Sequence, residues 1–284
     1  MPVPPPQPDQ QPDLGDPPRV ALVVLAAGDG RRAGHDTNKV LLPLAGRRVF
    51  TWGIRWGRGL ARVTHTVLVI RDQDRTTVSQ VLDREVDGPP VLVVEGGDSR
   101  HASEWAALRS LAPAIHAEEV DVVVIHDAAR PLASTQLFAD VVDTAARDGG
   151  AVPVLEQHGL TSLADGVPRH DDGEMAVVSV QTPQAFRAAP LLAAYTRAAT
   201  EGFVGTDTAS CMERYTELPV RCVAGDARNI KITYPEDLFL AERLLSRVGY
   251  DLSRTSPAER RTTAPAAEHP HLPHLTEVLR RRGR

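Results

Sequence analysis

Cysteine is almost absent from this 284-residue chain: Cys211 and Cys222 stand apart, with neither CxxC spacing nor the even set of a disulfide framework. That excludes a disulfide-stapled scaffold and points to a reducing, cytoplasmic setting. Aromatic residues are scarce at 4%, so the core must come from Val, Leu, Ala and Ile within a hydrophobic content of 42%. Neither sign of charge prevails. The 32 basic and 37 acidic side chains leave a formal charge of -5, which argues against a general nucleic-acid surface but not against a small anion held by local cations. No apolar run reaches the roughly 18 residues of a membrane helix. The opening MPVPPPQPDQQPDLGDPP has neither the cationic end nor the apolar stretch of a signal peptide. Lysine is scarcest of the charged residues: all but two of the 32 basic residues are arginine, and the two are Lys39 and Lys231. Where they fall therefore carries information.

What is present begins with a leader, residues 1–18, rich in proline and glutamine and expected to be disordered. From Arg19 short apolar runs alternate with helical patterns. Strands are expected at Val20–Ala26, Thr66–Ile70, Pro90–Val94, Val120–Ile125 and Ala151–Val154. Amphipathic helices are expected at Val49–Leu60, Thr76–Glu85, Arg100–Leu111 and Thr135–Arg147. Near-continuous apolar strands alternating with helices imply right-handed βαβ units and an α/β architecture, a mostly parallel open sheet with helices on both faces. The rhythm breaks over residues 155–180, a polar stretch with Asp165-Gly166 and Asp172-Gly173 turn signals and a strand signal at Met175–Val180, read as a protruding arm. Regular structure resumes with a helix near Ala188–Thr200, a strand at Pro219–Val223 and a helix at Pro235–Val248. The reading is one domain, 19–252, followed by a flexible tail, 253–284, with one short helical segment at Leu275–Arg282.

The first strand runs into Leu25-Ala26-Ala27-Gly28-Asp29-Gly30-Arg31-Arg32-Ala33-Gly34. Small residues let a ligand approach the backbone, and successive N–H groups can face an anion. Gly28, Gly30 and Ala33 satisfy a GxGxxA dinucleotide fingerprint, but that fingerprint should open a helix directly. Here Gly34, Pro43 and Gly46 postpone the helix to about Val49, and the second strand ends Ile70-Arg71-Asp72, with arginine where a ribose-binding carboxylate would stand. The loop carries Arg31, Arg32 and Lys39 instead, which suits a triphosphate. The plain alternative is an ordinary turn with solvated charges.

Taken together, the motifs resemble the 2-C-methyl-D-erythritol 4-phosphate cytidylyltransferase family. Leu25–Gly34 followed by Lys39 is similar to its nucleotide-binding opening, and Glu95-Gly96-Gly97-Asp98-Ser99-Arg100 with Ser103 to its base-recognition segment. His126-Asp127-Ala128-Ala129-Arg130-Pro131, Gln181-Thr182-Pro183-Gln184-Ala185-Phe186, Gly205-Thr206-Asp207 and Asn229-Ile230-Lys231-Ile232-Thr233 follow in order. Both lysines land on family lysine positions. The chain departs from the pattern at Asn38 and Val40 around the loop lysine, at Leu155–Gly159, and in the arm, which has no clear match for the arginine that seats the polyol phosphate, although Arg169 is nearby.

The resemblance implies a Rossmann-like fold of the nucleotide-diphospho-sugar transferase type. It also implies a cytidylyltransferase that joins CMP from CTP to a polyol phosphate, 2-C-methyl-D-erythritol 4-phosphate in isoprenoid precursor synthesis, with release of pyrophosphate. The alternatives are a ribitol 5-phosphate (pentitol) cytidylyltransferase or a non-catalytic nucleotide-binding module. Arg32, Lys39 and Lys231 are the expected catalytic cations, the first two neutralising charge on the α-phosphate and the leaving pyrophosphate. Ala26, Ala27, Gly28, Gly30, Gly97, Asp98 and Ser103 are expected to bind the nucleotide, the last three reading cytosine. Asp127, Arg130, Thr182 and Lys231 are expected at the acceptor. Asp127 is also the candidate ligand for Mg2+; the plainer and less favoured alternative is a helix-capping aspartate. His126 reads as structural. The resemblance further implies a homodimer formed through the arm, with no nucleic-acid or membrane partner.

Overall fold

The computed structural model describes residues 16–28, 38–157, 162–164, 167–169 and 177–247, which belong to a single compact unit. Nearly all of the leader, part of the arm, the tail, and Gly30 and Arg32 of the loop lie outside them. The strands are β1 (Val20–Leu25), β2 (Pro43–Leu44), β3 (Arg47–Arg48), β4 (Val63–Ile70), β5 (Leu92–Glu95), β6 (Val122–Asp127), β7 (Gly150–Glu156), β8 (Ser162–Ala164), β9 (Val167–Arg169), β10 (Val178–Val180), β11 (Gln184–Arg187) and β12 (Val220–Ala224). The helices are α1 (Val49–Gly57), α2 (Arg75–Glu85), α3 (Arg100–His116), α4 (Thr135–Asp148), α5 (Ala188–Glu201), α6 (Thr208–Tyr215) and α7 (Pro235–Arg247).

Eight strands form one sheet in the order β10-β7-β11-β6-β1-β4-β5, with β12 paired to β7. β1 is parallel to β4 and β6, and β4 to β5. Every residue of β6 is buried, and β1 is buried through Val24. Alternation sorts the β1 side chains: Val20, Leu22 and Val24 pack into a core with Phe50 of α1 and Phe138 of α4, while Ala21 and Val23 pack with Leu108 of α3 and Tyr195 of α5. Helices therefore cover both faces, as the sequence pattern requires.

The expectation of a mostly parallel sheet holds, with two additions. β11, unpredicted, lies antiparallel between β6 and β7, and β10, the last part of the expected Met175–Val180 strand, returns antiparallel on β7. α3 runs past the expected Leu111 through Pro113 to His116. The Asp165-Gly166 signal falls between β8 and β9, which pair antiparallel.

Topology places the site. From β1 the chain winds outward through β4 and β5, then returns to β6 on the other side of β1. The connections leave β1 and β6 in opposite directions, and a crevice opens at the carboxyl ends of two such strands. Leu25, the last residue of β1, is in register with Asp127, the last of β6.

Candidate active site

A cleft of about 770 Å³ lies at this crevice, lined by Ala26, Ala27, Gly28, Lys39, Arg71, Gly97, Asp98, Arg100, Ser103, Asp127 and Lys231 among others. Nine of the residues singled out in the sequence thus meet here: Ala26, Ala27, Gly28, Lys39, Gly97, Asp98, Ser103, Asp127 and Lys231. Thr182 and Arg130 stand behind the lining. Gly30 and Arg32 lie outside the described residues.

The glycine loop returns to the sheet at Asn38, which is buried. Its Nδ2 donates to the Ala26 carbonyl (3.0 Å) and to Asp74 Oδ2 (2.9 Å). Arg71 holds the same Asp74 carboxylate through Nε (2.9 Å) and Nη2 (3.1 Å). Asn38 also caps the short 3-10 turn Lys39–Leu41. The departure from the family pattern at Asn38 is therefore a tie that joins the end of β1, the end of β4 and the backbone that carries Lys39.

On the opposite wall, Gly96 lets β5 approach the loop: a Cβ there would stand 2.5 Å from the Ala27 Cβ and 2.8 Å from Ser103 Oγ. Ser103 Oγ accepts from the Gly97 N–H at 3.2 Å. The cap of α3 is Ser99, whose hydroxyl accepts from the Ala102 N–H at 3.0 Å. Capping therefore accounts for neither Asp98 nor Ser103.

Asp127 is not a helix cap either; Ser134 caps α4. The Asp127 carboxylate meets Lys231 Nζ at 2.7 Å and Arg100 Nη2 at 3.4 Å. Burial opposes its ionisation, but Arg100, Lys231 and Arg130 together outweigh that and hold the carboxyl well below the usual range. Lys231 is delivered across 104 residues because the Ile232 N–H donates to the Ala129 carbonyl (2.8 Å), stitching the segment after β12 beside β6.

Behind Asp127 lies a buried polar cluster. Its own N–H donates to Thr182 Oγ1 at 3.0 Å. His126 Nε2 faces the Arg130 carbonyl at 2.9 Å, and since a carbonyl only accepts, Nε2 carries the proton. Nδ1 then accepts from the Thr182 hydroxyl (3.2 Å). Asn229 donates to the Thr182 carbonyl (2.8 Å), and Arg130 Nη1 to the Asn229 carbonyl (2.7 Å). The sequence motifs contained Asn38, Arg100, Gln181 and Asn229 without assigning them roles. Their signal was position inside a motif; their partners were not legible.

Burial pushes the His126 imidazole down to about 4. A histidine whose folded value lies below its unfolded one, near 6.5, destabilises the fold as the unfolded chain takes up the proton first. Stability is thus expected to fall as pH drops from about 6.5 to about 4, by on the order of 3 kcal/mol from this group, and to flatten over that window in His126→Asn. Chemical denaturation across the range checks it. Gly53 of α1 abuts the same ring, and a Cβ there would stand 2.8 Å from Cδ2. Gly53→Ala is expected to destabilise by about 1–2 kcal/mol in thermal melts: overpacking a ring hydrogen-bonded at both nitrogens outweighs alanine's helix preference of about 1 kcal/mol.

Among the described residues no three His, Cys, Asp or Glu side chains gather as a metal cage, and no helix is long and apolar enough to cross a membrane. The cleft lining carries carboxylates at Asp72, Glu95, Asp98 and Asp127, and a magnesium ion that arrives on phosphate oxygens would need only one or two such contacts.

Comparison with known proteins finds matches along nearly the whole of the compact unit. A family model described as 2-C-methyl-D-erythritol 4-phosphate cytidylyltransferase matches residues 20–247. The protein of that name from Geobacillus kaustophilus (strain HTA426) is 35% identical over 225 residues, 79% of this chain and 96% of its own. That from Symbiobacterium thermophilum is 37% identical over 231 residues, 80% and 92% respectively. Among solved structures, the 2-C-methyl-D-erythritol 4-phosphate cytidylyltransferase of Thermus thermophilus is 29% identical with a TM-score of 0.59, covering 80% of this chain and 98% of its own. The 4-diphosphocytidyl-2C-methyl-D-erythritol synthase of Anaerococcus prevotii shares the fold, with a TM-score of 0.69 at 24% identity over 82% of this chain and 98% of its own.

Proposed function

We propose, given that this chain belongs to the 2-C-methyl-D-erythritol 4-phosphate cytidylyltransferase family, a division of labour among the residues of its cleft. The enzyme is a nucleotidyltransferase that joins CMP from CTP to 2-C-methyl-D-erythritol 4-phosphate in isoprenoid biosynthesis. The observation that carries the residue assignment is the meeting of Lys39, Asp127 and Lys231 with Ala26, Ala27 and Gly28 around one crevice.

In that assignment an oxygen of the acceptor phosphate attacks the α-phosphorus of CTP. The new P–O bond forms as the bond to the bridging oxygen breaks, and its electron pair leaves with pyrophosphate. No general base is needed, because a phosphate dianion is already nucleophilic near neutral pH. Catalysis is then positioning and charge neutralisation. Lys39 is assigned to the α-phosphate and pyrophosphate; the same role for Arg32 rests on its place in the sequence motif alone. Gly97, Asp98 and Ser103 read the cytosine edge through a backbone peptide, a carboxylate and a hydroxyl. Lys231 and Arg130, two of the cations around Asp127, draw the acceptor phosphate in. Thr182, only 3% exposed, serves the acceptor by orienting the Asp127 backbone. Mg2+ would be held mainly by phosphate oxygens with Asp127 as its protein contact, and would screen triphosphate charge.

The homodimer belongs to the same proposal. β10, at the root of the arm, is an edge strand, and Val177 and Val180 there are exposed. An apolar sheet edge of this kind favours a covering partner. Light scattering that finds only monomer at micromolar concentration would remove it.

The test of the site is pyrophosphate release from CTP and magnesium with methylerythritol 4-phosphate, with ribitol 5-phosphate, and with no acceptor. Release that depends on methylerythritol 4-phosphate is the expected result. Preference for ribitol 5-phosphate would reassign the acceptor residues.

A further inference from the structure

One charged pair near the cleft is unused by this mechanism. Arg100 is the first residue of α3, where the helix dipole disfavours a cation. Helix stability therefore does not explain it. Its guanidinium lies between two carboxylates: Nε is 3.2 Å from Glu104 Oε1 one turn along the helix, and Nη2 is 3.4 Å from Asp127 Oδ1. Both nitrogens are buried and neither makes an aligned hydrogen bond. Burial opposes the Arg100 charge, and Asp127 and Glu104 more than offset it.

Glu104 is fully buried, against Tyr195 of α5 and Thr208 of α6. Thr208, at the start of α6, donates its hydroxyl to Oε1 at 2.8 Å, and the Tyr195 hydroxyl donates to Oε2. A carboxylate in such a place is costly to keep ionised unless paired. Burial pushes it up, and Arg100, Tyr195 and Thr208 work against that rise. Apolar packing would stabilise α3 as well or better, so the reason for the pair lies elsewhere. A guanidinium is planar; the ion pair of Nε with a rigidly held carboxylate at 3.2 Å restricts the plane in which Nη2 lies beside Asp127.

We propose that Glu104 is a positioning residue for nucleotidyl transfer: held by Tyr195 and Thr208, it sets the orientation of Arg100 on the cleft wall, so that the guanidinium supports Asp127 there. This rests on the assignment of Asp127 to the reacting site. It adds a connection from the helices α5 and α6 to the cleft.

The experiment compares wild type, Glu104→Gln, Glu104→Asp, Arg100→Ala and the Glu104→Gln/Arg100→Ala double variant. Steady-state kcat and KM for both substrates are read beside thermal midpoints. Glu104→Gln is expected to lower kcat about tenfold with KM for CTP within about twofold, Glu104→Asp to recover part of that loss, and Glu104→Gln to cost less than twofold more in the Arg100→Ala background. A purely structural Glu104 would lower the midpoint and add its loss in full to that of Arg100→Ala; that additivity overturns the proposal, as does an unchanged kcat. A second readout is independent of turnover. Wild type should show an ordered, slowly exchanging Arg100 Nε–H signal by 15N NMR that Glu104→Gln loses. Retention of that signal overturns the positioning role even if the transfer assignment fails in the acceptor assay.

Discussion

Replacing Lys39 by alanine is expected to lower kcat for acceptor-dependent pyrophosphate release by on the order of 10²–10³. Its position is unusually well defined for a loop lysine: it opens the turn capped by Asn38, and Asn38 is itself tied to Ala26 and Asp74. A cation held there needs no reorganisation as negative charge builds on the α-phosphate and passes to pyrophosphate. That is the difference between catalysing and merely binding. The loss should therefore fall on kcat. A rise in KM for CTP with kcat unchanged would mean that Lys39 holds the triphosphate equally in ground and transition states, and the assignment would fail. Asn38→Ala, which releases the tie but leaves the charge, should show a smaller loss of the same kind.

Lys231→Met carries the second large expected effect. Methionine keeps much of the stem and removes the ammonium 2.7 Å from Asp127. The acceptor loses a cation and Asp127 loses one of its two close ones, so kcat/KM for the polyol phosphate should fall about 10²-fold. CTP affinity, set at the other wall, should change little. Stability should respond to pH as well. Asp127 has a depressed folded-state value, so its contribution is present above the unfolded value near 4 and fades as pH falls below it. Without Lys231 the depression shrinks, and stability at neutral pH should drop by about 1 kcal/mol, a modest figure because the lysine is nearly half exposed and screened by solvent. Equal losses for both substrates would place Lys231 at the reacting phosphorus instead of the acceptor.

The sheet was legible where one segment carried its own instructions. β1 and β6 are apolar runs that only a strand covered on both faces can bury, and α1, α2 and α4 began within one residue of where their pattern begins. The stretch Asp127–Arg130 and the two solitary lysines marked the cleft for the same reason: the motif is local. β11 escaped notice because four residues beside a proline carry no period, and its place was settled by the open edges of β6 and β7. α6 was hidden likewise, eight residues long with its start marked only by the Asp207–Ser210 capping box.

The α/β alternation, the glycine loop, the sparse cations and the order of motifs could all be read along the chain, since each depends on sequence neighbours. Packing in three dimensions had to settle that Asp127 is a paired carboxylate and not a helix cap, that Asn38 is a tie between two strand ends, and that Arg100 stands between Glu104 and Asp127. Periodicity tells which face a side chain is on. The identity of a buried charge's partner is settled by whichever group the fold brings within ion-pair reach, for Asp127 groups 27 and 104 residues away, because only there can an ion remain stable away from water.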